Sequence, residues 1–91
     1  MSLRRYGILL KKYLQDVKPI KYSSLIIDGS LMDFLLDKEQ YLYKFAEMIR
    51  LQLQDAYPQP TTHEFVVMAK YVNLIDSMVE EFVRDEIMRI V

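Results

Sequence analysis

Apolar residues recur along this chain at spacings of three and four, the signature of helices with one buried face. Leu3, Tyr6, Leu10, Tyr13, Leu14 and Val17 mark one such face and predict a first helix over residues 3–17. Gly7 lies inside it, where glycine costs about 1 kcal/mol relative to alanine. That cost is acceptable where a neighbouring helix comes close. Pro19 cannot continue the first helix but suits the first turn of a second, over 19–28. Gly29 follows, suited to the left-handed conformation that ends helices, and Ser30 is placed to cap what comes next. A third helix is predicted over 31–56, with Leu42, Phe45, Ile49, Leu53 and Ala56 on one face. Within it Asp37 and Gln40 repeat a capping signal, so 31–36 reads either as a separate turn or as the helix's beginning. Tyr57-Pro58-Gln59-Pro60 ends this helix, because closely spaced prolines break the helical ladder.

The strongest cap is Thr61 with Glu64, an S/T-x-x-E box directly before an apolar run. It predicts a fourth helix over 62–90, about 43 Å long at 1.5 Å per residue. Phe65, Met68, Val72, Ile75, Val79 and Phe82 form a heptad seam along it, and Val67, Tyr71, Leu74 and Met78 form a second stripe alongside. The fold class expected is all-α, a small four-helix bundle-like single domain over residues 1–91 with a long C-terminal helix. Two arrangements satisfy the paired stripes. Either the fourth helix is central in a monomer and buries both, or one stripe meets another chain.

Size and composition favour some exposed apolar surface. Ninety-one residues, 52% of them hydrophobic, leave a small domain with more apolar area than it easily encloses. The chain has no cysteine, which removes disulfides and thiolate metal sites and fits the cytoplasm. No segment has the uncharged length needed to span a bilayer. Arg4 and Arg5 before an apolar run imitate a signal peptide, but Lys11 and Lys12 cut that run short.

Charge is unevenly placed. Up to Lys21 the chain holds Arg4, Arg5, Lys11, Lys12, Lys18 and Lys21 against Asp16 alone; the remainder holds six basic and twelve acidic residues. Such asymmetry guides a basic face toward nucleic acid or toward the acidic surface of a second copy; a solvated helix face is the plainer reading. Tyr6, Tyr13 and Tyr22 alternate with these basic residues, as in stacking platforms for single strands, although their helical spacing equally places them in a core. The six methionines read as adaptable core filler.

Candidate chemistry is sparse. His63 is the only histidine, without the companion ligands a metal site needs, and Ser23, Ser24, Ser30 and Ser77 lack a nucleophile-elbow setting. Two glycines provide no phosphate-cradling loop. Asp76, Glu80, Glu81, Asp85 and Glu86 crowd one end of the fourth helix, but on a long amphipathic helix such a run is usually a solvated face. The second and third helices have roughly helix-turn-helix lengths. A recognition helix beginning Leu31-Met32-Asp33-Phe34-Leu35-Leu36-Asp37 would, however, turn apolar and acidic groups toward the groove. No catalytic, metal or cofactor site is expected.

These ordered features resemble the TnpV family, small proteins encoded within bacterial transposons. Tyr6-Gly7 with Tyr13-Leu14 is similar to the family's opening segment, and Tyr22, Leu25, Ile26, Gly29 and Leu31 to its second. Asn73, Glu80, Glu81, Phe82, Val83, Glu86 and Ile87 are similar to its closing helix, with Met68 where the family commonly has tryptophan. The resemblance implies a mobile-element accessory protein and supplies no catalytic residues. The function expected is a non-catalytic protein–protein interaction or self-associating helical module, its candidate contact Val67, Tyr71, Leu74 and Met78. The alternative is a weak DNA-binding accessory factor using Arg4, Arg5, Lys11, Lys12, Lys18 and Lys21 against phosphates.

Overall fold

The computed structural model describes residues 3–91 and contains four α-helices in chain order. They are α1 (Arg5–Val17), α2 (Pro19–Asp28), α3 (Leu31–Ala56) and α4 (Phe65–Ile90), with no strand among the described residues. None is long and apolar enough to cross a membrane. The chain divides into two compact units, one reaching to Tyr43 and including Val91, the other Lys44–Ile90.

Helix ends follow local chemistry. Gly29 adopts φ 72° and ψ 15°. Its N–H donates to the Ile26 carbonyl and that of Ser30 to Leu25, both at 3.0 Å, which together satisfy the last carbonyls of α2. Ser30 then turns the chain into α3, its carbonyl accepting from the Phe34 N–H at 2.9 Å. The helix runs unbroken through Asp37 and Gln40, so the capping signal there is unused. No glycine or proline interrupts 31–56, and buried Leu35 and Leu42 lie on either side of the signal.

At the start of α4 the structure corrects the expectation. The helix begins at Phe65 rather than Thr62, because Thr62 Oγ1 accepts the Glu64 N–H at 3.2 Å. This short side-chain turn holds Thr62 and Glu64 outside the helix, and the Glu64 carbonyl accepts the first helical bond, from Met68.

In the first unit, Tyr6, Leu10 and Leu14 of α1 are buried, as are Leu35, Glu39 and Leu42 of α3. Val17, placed on the apolar face by spacing alone, is exposed. In the second unit α4 packs against the later half of α3, where Ala46 and Ile49 are buried, and Arg50 Nη2 meets Asp76 Oδ1 at 2.6 Å. The buried residues of α4 are Ile75, Val79, Val83, Glu86 and Ile87. The heptad seam is therefore buried at only two of its six positions, with Met68 half-buried. Ile75 and Val79 are buried, but Phe65, Val72 and Phe82 are exposed. Each step of four residues turns about 400°, so the buried line Ile75, Val79, Val83 and Ile87 drifts by about 40° per step and winds past Val83, leaving Phe82 beside it.

Glu39 is the least ordinary member of this interior, a carboxylate only 3% exposed. Its Oε2 accepts the backbone N–H of Arg4 at 2.6 Å and of Gly7 at 3.0 Å. The N-cap of α1 is Arg4, whose side chain makes no cap hydrogen bond. Glu39 therefore supplies from α3 the acceptor that a serine or aspartate at the N-cap would ordinarily provide. It also sits at the positive end of the α1 dipole. Gly7 makes the approach geometrically feasible. A Cβ there would collide with Glu39 Oε2 and stand 2.9 Å from Leu3 Cδ2.

Two mutational predictions follow from this packing. Leu42→Ala should lower stability by about 2–5 kcal/mol in denaturant titration, whereas Phe65→Ala should stay within roughly 0.5 kcal/mol of the parent. Gly7→Ala should destabilise by about 1–3 kcal/mol by displacing the buried carboxylate. In a Glu39→Ala background the same change should become stabilising by up to about 1 kcal/mol, as helix propensity takes over. An unchanged Gly7→Ala effect in that background would show that the carboxylate is not what the glycine accommodates.

Candidate functional site

The basic residues near the start of the chain are not equivalent. Arg4 holds its guanidinium 4.0 Å above the Tyr43 ring and its Nε 3.6 Å from Glu39 Oε1. Tyr43 also receives the Tyr6 ring at a centroid distance of 4.4 Å, tilted by 36°. Arg4 is thus part of the assembly that closes the start of α1. The Arg5 guanidinium lies 5.9 Å from the Tyr6 ring and the Lys21 ammonium 5.3 Å from that of Phe34. Lys11 is half-buried; Lys12 and Lys18 are exposed. The tyrosines that alternate with these residues face inward in part. Tyr6 is buried, while Tyr13 and Tyr22 are half-buried, with the Tyr22 hydroxyl accepting from Gln15 at 3.0 Å.

On α4, none of the four residues nominated for self-association is buried. Val67, Tyr71 and Met78 are half-buried, and Leu74 is 54% exposed. Phe82, 45% exposed, extends their line by one further step of four. Together they form a stripe beside the buried one and end at the polar residues Asp85 and Arg89. Tyr71 has a second duty, its hydroxyl donating to the Tyr57 carbonyl at 2.7 Å. That bond ties α4 to the start of the proline-containing loop.

Helix α2 is a surface that spacing arguments passed over. None of its residues is buried, although it carries four large apolar side chains. Ile20 and Ile27 are 86% and 83% exposed and, with Pro19, Ser23 and Ser24, line a shallow apolar groove. The signal lay in the order Ile20, Ser23, Ser24, Ile27, with apolar ends and a small-residue centre on one face.

Titratable groups gather into pairs rather than a reactive cluster. Among the described residues no three histidine, aspartate or glutamate side chains converge as metal ligands. His63 is exposed. In the acidic run, Asp76 is paired with Arg50. Buried Glu86 is held by Arg89 through two bonds, Nε to Oε1 at 2.7 Å and Nη2 to Oε2 at 2.6 Å. Such forked pairing compensates the cost of burying a carboxylate. Both buried carboxylates, Glu39 and Glu86, escaped the sequence reading. Their signal was position, since each falls on the apolar arc of its helix.

The bond from Tyr71 to Tyr57 generates one prediction. Tyr71→Phe should cost roughly 0.5–1.5 kcal/mol and leave helical circular dichroism unchanged. Proteolysis should accelerate specifically between Tyr57 and Glu64; uniform acceleration throughout the chain would contradict a local tether.

No curated protein and no solved structure matches the chain significantly. The family model described as transposon-encoded protein TnpV matches residues 1–88, nearly the whole length. The chain accordingly belongs to the TnpV family of transposon-encoded proteins.

Proposed function

We propose that this TnpV protein is a non-catalytic, self-associating module acting in the cytoplasm with the machinery of its mobile element. The observation that carries the proposal is the outer stripe of α4, where Val67, Tyr71, Leu74, Met78 and Phe82 line up without one being buried. Large apolar side chains in a contiguous row mark contact surfaces when they lack cover within the chain. Leu74 and Phe82 are about half exposed, so removing the rest from water is worth about 1 kcal/mol each, at least as much as an exposed ion pair contributes. The pairing of Asp76 and Glu86 with arginines, and the lone exposed histidine, supports a role in contact rather than catalysis.

DNA binding is the second reading, favoured by the excess of basic residues up to Lys21. Arg4 and Lys21 engage aromatic rings or a carboxylate in the first unit, so Lys12 and Lys18 carry more of that reading. A phosphate-dominated complex would weaken steeply with salt.

Sedimentation equilibrium across a range of concentrations tests the primary proposal. The parent should show a concentration-dependent mass above the monomer, and Leu74→Glu with Phe82→Glu should reduce it to the monomer with helicity intact. A parent that remains monomeric at every concentration would refute self-association.

A further inference from the structure

We infer that the α4 stripe of one copy docks against the basic, apolar face of α2 on a second copy, so that association joins two different surfaces. The inference rests on the self-association reading and specifies its missing half. Helix α2 is the starting point. Ten residues are too few for a stable isolated helix in water, and apolar packing normally supplies the deficit. Yet α2 buries none of its residues and leaves Ile20 and Ile27 almost fully in solvent.

The arrangement on that face has a definite geometry. Ile20, Ser23, Ser24 and Ile27 stand at i, i+3, i+4 and i+7, the four positions that frame a hole for a partner's knob. Isoleucines close its ends and serines leave its centre low. A bulky side chain therefore fits better than a small one. Phe82 is exposed midway along the acidic end of α4, with Met78 and Leu74 about one and two turns earlier.

Charge selects the same pair of surfaces. Lys18 and Lys21 are exposed beside the hole, with Asp28 the acidic residue of α2. Glu81 and Asp85 are exposed next to Phe82, both on its side away from the buried line of α4, with Arg84 as the opposing charge. Arg89, nearby, is turned onto the buried Glu86 carboxylate. A second copy brings both the aromatic knob and its acidic flank to the basic hole. By contrast, two α4 stripes meeting in parallel would bring Glu81 and Asp85 toward their own counterparts, a repulsive arrangement. An interface between unlike surfaces also leaves one of each uncovered, and so permits growth beyond a pair.

A mixing experiment separates this arrangement from other forms of self-association. One variant carries Ile20→Glu with Ile27→Glu, the other Leu74→Glu with Phe82→Glu. All four positions are exposed, and helical circular dichroism checks that each variant is folded. Each alone should sediment as a monomer, and an equal mixture should form a one-to-one pair that grows no further. If the α2 variant associates like the parent while the α4 variant does not, α4 self-association stands and docking on α2 is wrong. If neither variant alters association, or the parent itself is monomeric, the α4 reading fails with it.

Charge exchange supplies a second, gentler test. Lys18→Glu with Lys21→Glu should weaken parent association by about tenfold, equivalent to roughly 1.4 kcal/mol. Adding Glu81→Lys with Asp85→Lys in the same chain should restore it. Failure of the restoring pair would overturn the proposed register. Sedimentation of the parent with phosphatidylserine–phosphatidylcholine vesicles covers the other occupant of a basic apolar helix. Vesicle binding lost in the Ile20→Glu, Ile27→Glu variant, with no pairing in the mixture, would assign α2 to a lipid surface and overturn the inference.

Discussion

A buried carboxylate closes the first helix of this protein. Glu39 leaves water only because the Arg4 and Gly7 N–H groups, the Arg4 guanidinium and the positive end of α1 receive it. Each partner has a sequence requirement of its own. Gly7 must lack a side chain, and α3 must begin early enough to carry Glu39 to the start of α1. The Schellman turn at Gly29 and the unbroken passage through Asp37 provide that placement. Tyr43, one helical turn beyond Glu39, then stacks on Tyr6 beneath the Arg4 guanidinium. Charge, aromatic contact and the absence of one methyl group thus fix α1 against α3.

The rest of the structure shows how little apolar surface a chain of this size can cover. Leu10, Leu14, Leu35 and Leu42 are fully buried in the first unit, and Ile75, Val79, Val83 and Ile87 nearly so in the second. Beyond them, α2 and the outer stripe of α4 leave isoleucine, leucine and phenylalanine in solvent. A small domain buries a smaller share of its surface than a large one, so some apolar exposure is expected. Part of it lies on the α2 face and the outer α4 stripe, with basic residues beside one and acidic residues beside the other, and the proposed association rests on those two faces.

Much of this architecture was legible in the order of residues. Proline at the start of α2, glycine after it and the paired prolines after Tyr57 act through local backbone geometry, so they marked breaks correctly without knowledge of the fold. The Thr61–Glu64 box misled because the neighbouring Thr62 offers a competing hydroxyl, and local side-chain turns can defer a helix. The heptad seam failed in part because α4 buries a line in steps of four, which winds round the helix axis instead of holding one seven-residue stripe. Glu39 and Glu86 were hidden for a different reason. Composition treats a carboxylate as surface, and only the neighbouring N–H groups or arginine reveal that it can be buried.

Among the candidate sites, the α4 stripe was visible as periodicity, and the basic residues as composition. Their inequality was not visible, since the contacts of Arg4 with Glu39 and Tyr43 join residues far apart in the chain. The α2 face was overlooked because a ten-residue helix reads as a connector. Amide hydrogen exchange at low and high protein concentration tests most directly whether these faces meet. The account predicts that concentrating the protein slows exchange in two places, Ile20–Ile27 and Leu74–Phe82, while α2 exchanges rapidly when dilute. Protection that is independent of concentration in both segments would contradict it.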